Sequence, residues 1–274
     1  MIIRRRPGPS VSLVRLAVRR RDLLKGGLGL VTGAVVGGLA DDYDRFRVPE
    51  PEPEPEPVEP APVEPAPVEP EPEPQLPAAF QRGDSGEGVL ALQQQLNAAG
   101  YWCGTPDGGF GHLTQQAVWA VQKAHGLWRD GVAGPQTQQA LATGYRPAPV
   151  AGGDHVEIHL ATQLLLVVRG GSTLMTLNTS TGNGEPYEYE KHEYLATTPT
   201  GDFRVGFTDG SGWREGELGE LYRPMFYYGN YAVHGSNSIP PVPASHGCAR
   251  ISVAAMDMFW SEGLLGVGHR VLVV

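Results

Sequence analysis

The residues with the most chemical content lie in one stretch near the end of the chain, His234-Gly235-Ser236 through Ser245-His246-Gly247-Cys248-Ala249-Arg250. It brings one of only two cysteines close to two histidines. An isolated thiol ionises near about 8.5 and is mostly protonated at neutral pH, so a cysteine that attacks carbonyl carbon needs an imidazole to take its proton. Cys248 with His234 or His246 therefore has the makings of nucleophilic acyl transfer. Gly247 permits a tight turn in which the N–H groups of Gly247 and Cys248 could face a developing oxyanion. Arg250 adds a fixed, forked positive charge suited to a substrate carboxylate. Two other readings use the same residue types. His234, His246 and Cys248 are zinc-capable, although no Cys-x-x-Cys pair supports a closed site. Cys103 and Cys248 could form a disulfide in an oxidising compartment, which would silence the thiol. Cys103, between Trp102 and Gly104, reads instead as a small apolar core residue. His125, His155, His159 and His192 have no motif around them and read as surface or internally satisfied side chains.

The segment that must hold this stretch, 152–274, reads as mainly β. Val156, Ile158 and Leu160 alternate with polar residues; Leu164 to Val168 is an apolar run closed by Gly170-Gly171; Leu174 to Ser180 follows at hairpin distance. Phe203, Val205 and Phe207 alternate again, Met225 to Val233 is rich in aromatics, and Arg270 to Val274 closes the chain as a strand. One short helix, capped by Ser252 and carrying Val253, Met256 and Trp260, precedes that strand. Many short strands favour a β-sandwich or a closed, barrel-like sheet over a doubly wound one.

Ahead of it, 79–146 has helical periodicity. Val89, Leu92 and Leu96 share one face and Gly100 ends the helix. A second helix is expected from Thr114 as N-cap through Ala117, Val118, Val121 and Leu127, and a third after Pro135 containing Leu141. Two similar turns, Asp107-Gly108-Gly109-Phe110-Gly111 and Asp130-Gly131-Val132-Ala133-Gly134, are each followed by a threonine, Thr114 and Thr137, expected to cap the next helix. The unit looks like a helix-turn motif used twice.

The formal charge of −9 hides two opposed segments. Residues 1–40 carry eight basic side chains against Asp22 alone, with Arg20-Arg21 ahead of a Gly-rich apolar run from Gly26 to Leu39. The pattern resembles a twin-arginine export signal, with cleavage expected after Ala40. Residues 41–78 hold Asp41, Asp42, Asp44 and nine glutamates against Arg45 and Arg47, largely in Glu-Pro and Pro-Val-Glu-Pro-Ala repeats. Proline at this density blocks helix and sheet, and polyproline II would reach roughly 90 Å, so this is a spacer. The remainder is mildly acidic, which excludes a basic nucleic-acid binder, and two cysteines exclude a disulfide-rich miniprotein.

Two resemblances follow. Arg82-Gly83-Asp84-Ser85-Gly86, Leu92-Gln93, Gly100-Tyr101, Asp107-Gly108, Phe110-Gly111, Thr114, Ala117-Val118, Gln122, Asp130-Gly131, Gly134 and Thr137 resemble a three-helix peptidoglycan-binding domain. His234-Gly235 and Ser245-His246-Gly247-Cys248-Ala249-Arg250, with Thr198-Pro199-Thr200-Gly201 upstream, resemble the signature of the L,D-transpeptidase catalytic domain. Together they imply a multidomain, exported cell-wall enzyme: a small all-α binding domain, then a mainly-β catalytic domain. They imply Cys248 as nucleophile, His234 as base, the carbonyl of Gly235 as its orienting partner, and Ser245, His246, Gly247 and Arg250 at the substrate. The implied partner is peptidoglycan, both stem peptides and glycan, with carbapenem-type inhibitors expected to acylate the cysteine and no cofactor or metal required. The implied reaction releases D-Ala from a stem tetrapeptide and passes the acyl group to a neighbouring amine, giving a 3→3 cross-link. Water as acceptor would make the same site an L,D-carboxypeptidase, and an inactive loop would leave a wall-binding protein.

Overall fold

Helices and strands follow the apolar patterning closely in a computed structural model that describes residues 79–274 apart from Glu217. The export-signal and spacer readings, 1–40 and 41–78, lie outside the described residues.

Three helices come first: α1 (Glu87–Ala98), α2 (His112–Ala124) and α3 (Pro135–Ala142). Helix α1 buries Val89, Leu92 and Leu96 and stops where Gly100 turns left-handed at φ +85°, which lets the Tyr101 N–H reach back to the Leu96 carbonyl at 2.8 Å. The two repeated turns do not place their threonines at N-caps. Gly111 and Gly134 hold those positions, and Thr114 and Thr137 sit inside the first turn of α2 and α3. Their hydroxyls serve a duplicated network instead. Gln93 Nε2 donates to Asp107 Oδ1 (2.9 Å), the Gly109 carbonyl (2.9 Å) and Thr114 Oγ1 (3.0 Å). Gln122 Nε2 does the same toward Asp130 Oδ1 (2.7 Å), the Val132 carbonyl (3.1 Å) and Thr137 Oγ1 (3.2 Å). A buried amide fastening each turn explains why the motif recurs. Leu127, expected in the second helix, lies beyond its end at Ala124.

The β portion is a sandwich, as the alternation implied. One sheet has the order β3-β2-β1-β12-β6, from β1 (His155–His159), β2 (Leu164–Arg169), β3 (Ser172–Asn178), β6 (Gly201–Arg204) and β12 (Arg270–Val273). The other runs β11-β10-β9-β7, with β8 on β9, from β7 (Phe207–Thr208), β8 (Trp213–Arg214), β9 (Leu221–Tyr228), β10 (Tyr231–Ser236) and β11 (Ala249–Ser252). A separate hairpin pairs β4 (Pro186–Tyr189) with β5 (His192–Leu195). The alternation through Phe203, Val205 and Phe207 is not one strand: the chain breaks at Val205-Gly206 and its halves join different sheets. The aromatic-rich run Met225 to Val233 spans two strands, β9 and β10, turned at Gly229. Helix α4 (Val253–Ser261) starts on Ser252, whose Oγ accepts the Ala255 N–H at 3.1 Å, and buries Met256 and Phe259 in the sandwich core.

The uninterrupted apolar run of β2 has a structural cause. Leu165 and Val167 face the core between the sheets, while Leu164, Leu166 and Val168 join the helical core with Leu92, Leu96 and Val121. A strand buried on both faces has no reason to alternate. Cys103 is buried in the same helical core, its Sγ 3.4 Å from the Gln93 carbonyl, and both cysteines are free.

Candidate active site

Strands β10 and β11 run parallel, with Val233 beside Ala249 and His234 beside Arg250, so Cys248 enters the sheet level with Ala232. In a parallel pair, residues abreast present their side chains on the same face. The chain thus brings His234, Cys248 and Arg250 together from positions fourteen and sixteen apart. On the other side of β10, Val233 pairs with Met225 and Gly235 with Tyr222, so two residues of β9 oppose His234 alone. Arg223 takes the extra place at φ +47°. Bulges of this kind re-aim a side chain by bending the strand.

His234 is buried, and its Nδ1 lies 2.9 Å from the carbonyl of Gly235. A carbonyl only accepts, so Nδ1 carries the proton and Nε2 keeps a lone pair in the neutral ring. Burial, offset in part by that carbonyl and reinforced by Arg250, pushes the imidazole down to about 4. Cys248 is half-buried, its Sγ 3.6 Å from the Asn230 carbonyl. Burial raises its thiol above the ordinary range, against the pull of the Ala232 N–H and the Arg250 charge. The resting pair is therefore neutral thiol and neutral imidazole, not thiolate and imidazolium.

The turn before Cys248 is fastened from several sides. Ser245 Oγ donates to the Cys248 carbonyl at 2.6 Å and accepts the Gly247 N–H at 3.0 Å. That N–H, expected at an oxyanion, is thus spent on the turn, and buried Ser245 supports the loop. Thr198 Oγ1 donates to the Gly247 carbonyl at 2.7 Å and accepts the Gly182 N–H at 3.0 Å, which ties the Thr-Pro-Thr-Gly segment to the same turn. Gly247 sits at φ +145°, and a Cβ there would come within 2.5 Å of the Tyr231 ring and 2.9 Å of the Thr197 carbonyl. His246 is exposed and meets the Tyr187 ring edge-on, with centroids 4.9 Å apart.

Sequence reasoning missed the segment that backs this turn, Asn178-Thr179-Ser180-Thr181. Asn178 to Ser180 read only as the end of a strand, and Thr181 lay outside it, yet all four polar residues are buried. Thr181 accepts the Ala244 and Ser245 N–H groups (3.0 and 2.9 Å), Ser180 Oγ donates to the Val242 carbonyl (2.8 Å), and Thr179 Oγ1 donates to the Arg250 carbonyl (2.8 Å). The available signal was their uniformly small size.

A solved L,D-transpeptidase structure from Xylanimonas cellulosilytica is 51% identical to this chain, with a TM-score of 0.70, and the match covers 74% of this chain and 100% of that one. The chain belongs to the L,D-transpeptidase family. Residues 153–273 match the L,D-transpeptidase catalytic domain and residues 85–141 a peptidoglycan binding domain. Over shorter stretches it is similar to a spore cortex-lytic enzyme of Bacillus cereus, 46% identical over 62 residues, 23% of this chain. It is also similar to the N-acetylmuramoyl-L-alanine amidase CwlL of Bacillus licheniformis, 45% identical over 65 residues, again 23% of this chain. The chain spans 24% and 18% of the length of those two relatives. Within the L,D-transpeptidase domain, His234, Gly235, Ser245, His246, Gly247, Cys248 and Arg250 all fall in the β10–β11 region, in a frame braced by Thr198 and Thr181.

Proposed function

We propose that the protein is an exported cell-wall enzyme that forms 3→3 peptidoglycan cross-links by cysteine acyl transfer. The observation that carries this reading is His234, whose Nδ1 is committed to the Gly235 carbonyl while its depressed pKa keeps Nε2 available as a base. As the Cys248 sulfur bonds to the carbonyl carbon at stem position three, the thiol proton passes to His234. The tetrahedral oxyanion faces the Cys248 N–H, Arg250 holds a substrate carboxylate, and the C–N bond to the terminal D-Ala breaks as His234 returns the proton to the leaving amine. A neighbouring stem amine then attacks the thioester, gives its proton to His234 and expels the sulfur, which is reprotonated. The helical domain retains the enzyme on wall polymer, and the basic start and proline-rich spacer of the sequence deliver it beyond the membrane and give it reach.

The test is a purified full chain with tetrapeptide muropeptides. D-Ala release coupled to tetrapeptide-dimer formation is expected, together with a carbapenem adduct of one acyl mass on Cys248. Turnover retained by Cys248→Ala would sink the assignment.

A further inference from the structure

Lys123, on α2 of the helical domain, is 3% exposed at the boundary with the sandwich. Its Nζ donates to the carbonyls of Gln163 (2.8 Å) and Thr179 (3.0 Å) and to Asn178 Oδ1, all on the catalytic side. No carboxylate joins this shell among the described residues, and burial with the nearby Arg129 charge pushes the ammonium down to about 6. A buried lysine with only neutral acceptors is a costly way to join two domains, since apolar packing would do as much. Its partners show what it holds in return.

Gln163, at φ +59°, turns its amide onto Thr181: the Thr181 N–H donates to Gln163 Oε1 (2.8 Å), and Gln163 Nε2 donates to Thr181 Oγ1 (2.7 Å). The Thr181 carbonyl in turn takes the Ala244 and Ser245 N–H groups, and Ser245 Oγ holds Gly247 and Cys248. Thr179 carries a second arm, to the Arg250 carbonyl. Asn178 carries a third, donating to Gln116 Oε1 (2.6 Å) and to the Ile239 carbonyl (3.1 Å), which Gln116 Nε2 also reaches (3.1 Å). Arg129 Nη1 adds a direct bond to the Pro241 carbonyl at 3.0 Å. Ile239 and Pro241 lie in the loop joining His234 to Cys248.

We propose that Lys123 is a positioning residue for Cys248, and that the helical domain holds the nucleophile's loop in register through this buried relay as well as serving as a wall anchor. The inference rests on the reading of Cys248 as nucleophile. Each step is a hydrogen bond between ordered groups, so losing the origin loosens the turn without touching substrate.

The test compares full-length wild type with Lys123→Met, Gln116→Leu and Arg129→Ala. It reads the rate of carbapenem acylation by intact mass, kcat and KM for donor tetrapeptide, cosedimentation with purified sacculi, and near-ultraviolet circular dichroism. Lys123→Met is expected to acylate about tenfold more slowly and Gln116→Leu about threefold, with the loss in kcat, KM within about twofold and sacculus binding unchanged. Arg129→Ala, at the rim, is expected to lose less than either. If Lys123→Met loses its native dichroism, Gln116→Leu and Arg129→Ala decide the matter, since neither takes the donor from the three buried acceptors of Lys123. Wild-type acylation with all folded variants at wild-type rates overturns the relay alone. A wild type that does not acylate overturns the nucleophile reading and the relay with it.

Discussion

Two histidine clusters in this sandwich are made of similar parts and put to opposite use. On β1, Glu157 is fully buried between His155 and His159, each 2.7 Å from one carboxylate oxygen, and the Val150 and Ala151 N–H groups complete the shell at 3.0 to 3.1 Å. Burial would raise that carboxyl, but the four donors outweigh it and hold it below its ordinary 4.5. On β10, His234 has one fixed bond, to the Gly235 carbonyl, and the Cys248 sulfur meets the Asn230 carbonyl at 3.6 Å and the Ala232 N–H. Where every polar atom is satisfied, titration costs stability and nothing else happens. Where a ring nitrogen and a thiol have no such full shell, the same burial keeps both groups neutral at physiological pH, the state that the proposed roles of base and nucleophile need.

The strongest way to break that contrast is at the uncommitted pair. Cys248→Ala should abolish D-Ala release and carbapenem adduct formation while leaving the melting temperature within a few degrees. His234→Ala should slow acylation by roughly 10²–10⁴-fold. With His234 near 4, its neutral form exists above that value, so kcat/KM for acylation should hold a plateau through pH 5 to 7 and fall only as pH drops through about 4. An acid limb between 6 and 7 would mean that the imidazole is not desolvated as described. The raised thiol gives the other limb: Cys248 alkylation by iodoacetamide should rise with pH along a midpoint above that of an ordinary cysteine.

The satisfied cluster should answer in stability. Glu157→Leu leaves two histidines and two backbone donors without their acceptor, and a loss of about 3–5 kcal/mol in denaturant unfolding is expected. Because the Glu157 carboxyl is held below its ordinary value, its contribution is complete above about pH 4.5 and fades as pH falls through the lower folded value. Acid unfolding of the wild type should therefore flatten in Glu157→Leu. Equal slopes in the two would show that Glu157 does not couple to folding.

The same contrast separates what could be read in the chain from what could not. That Cys248, His234 and Arg250 come together was legible because rare residue types crowd one short stretch, and the sandwich was legible because β1 alternates apolar with polar residues and β2 and β12 are short apolar runs. The caps were not: Thr114 and Thr137 have cap chemistry, but Gln93 and Gln122, far away in sequence, claim their hydroxyls. Nor was the role of Gly247, whose N–H goes to Ser245. His155 and His159 read as surface or internally satisfied side chains and both meet Glu157, yet Glu157 itself looked like the exposed residue of an alternating strand. In each case a side-chain hydrogen bond decided the outcome, long-range for Thr114 and Thr137 and two residues away for Gly247 and Glu157, and such bonds leave no periodicity.

Gly247→Ala should have a smaller effect than either cluster. Its φ of +145° and the 2.5 Å approach to the Tyr231 ring leave no room for a methyl group, so a loss of about 1–3 kcal/mol and a displaced Cys248 are expected. Slowed acylation with unchanged sacculus cosedimentation would place the damage at the turn.

The smallest effect tests whether His246 belongs with the uncommitted pair at all. It is exposed, and its ring packs edge-on against Tyr187 of the β4–β5 hairpin at 4.9 Å, an arrangement worth about 0.5–1.5 kcal/mol. A side chain that braces a hairpin should matter for where the donor stem rests, not for removing the thiol proton. His246→Ala should accordingly raise KM a few-fold with kcat little changed, and Tyr187→Ala should do the same. In the double variant the two effects should be less than additive, since either change alone removes the contact. If His246→Ala instead lowers kcat more than His234→Ala does, proton transfer runs through the exposed histidine, and the buried ring on β10 is the satisfied one.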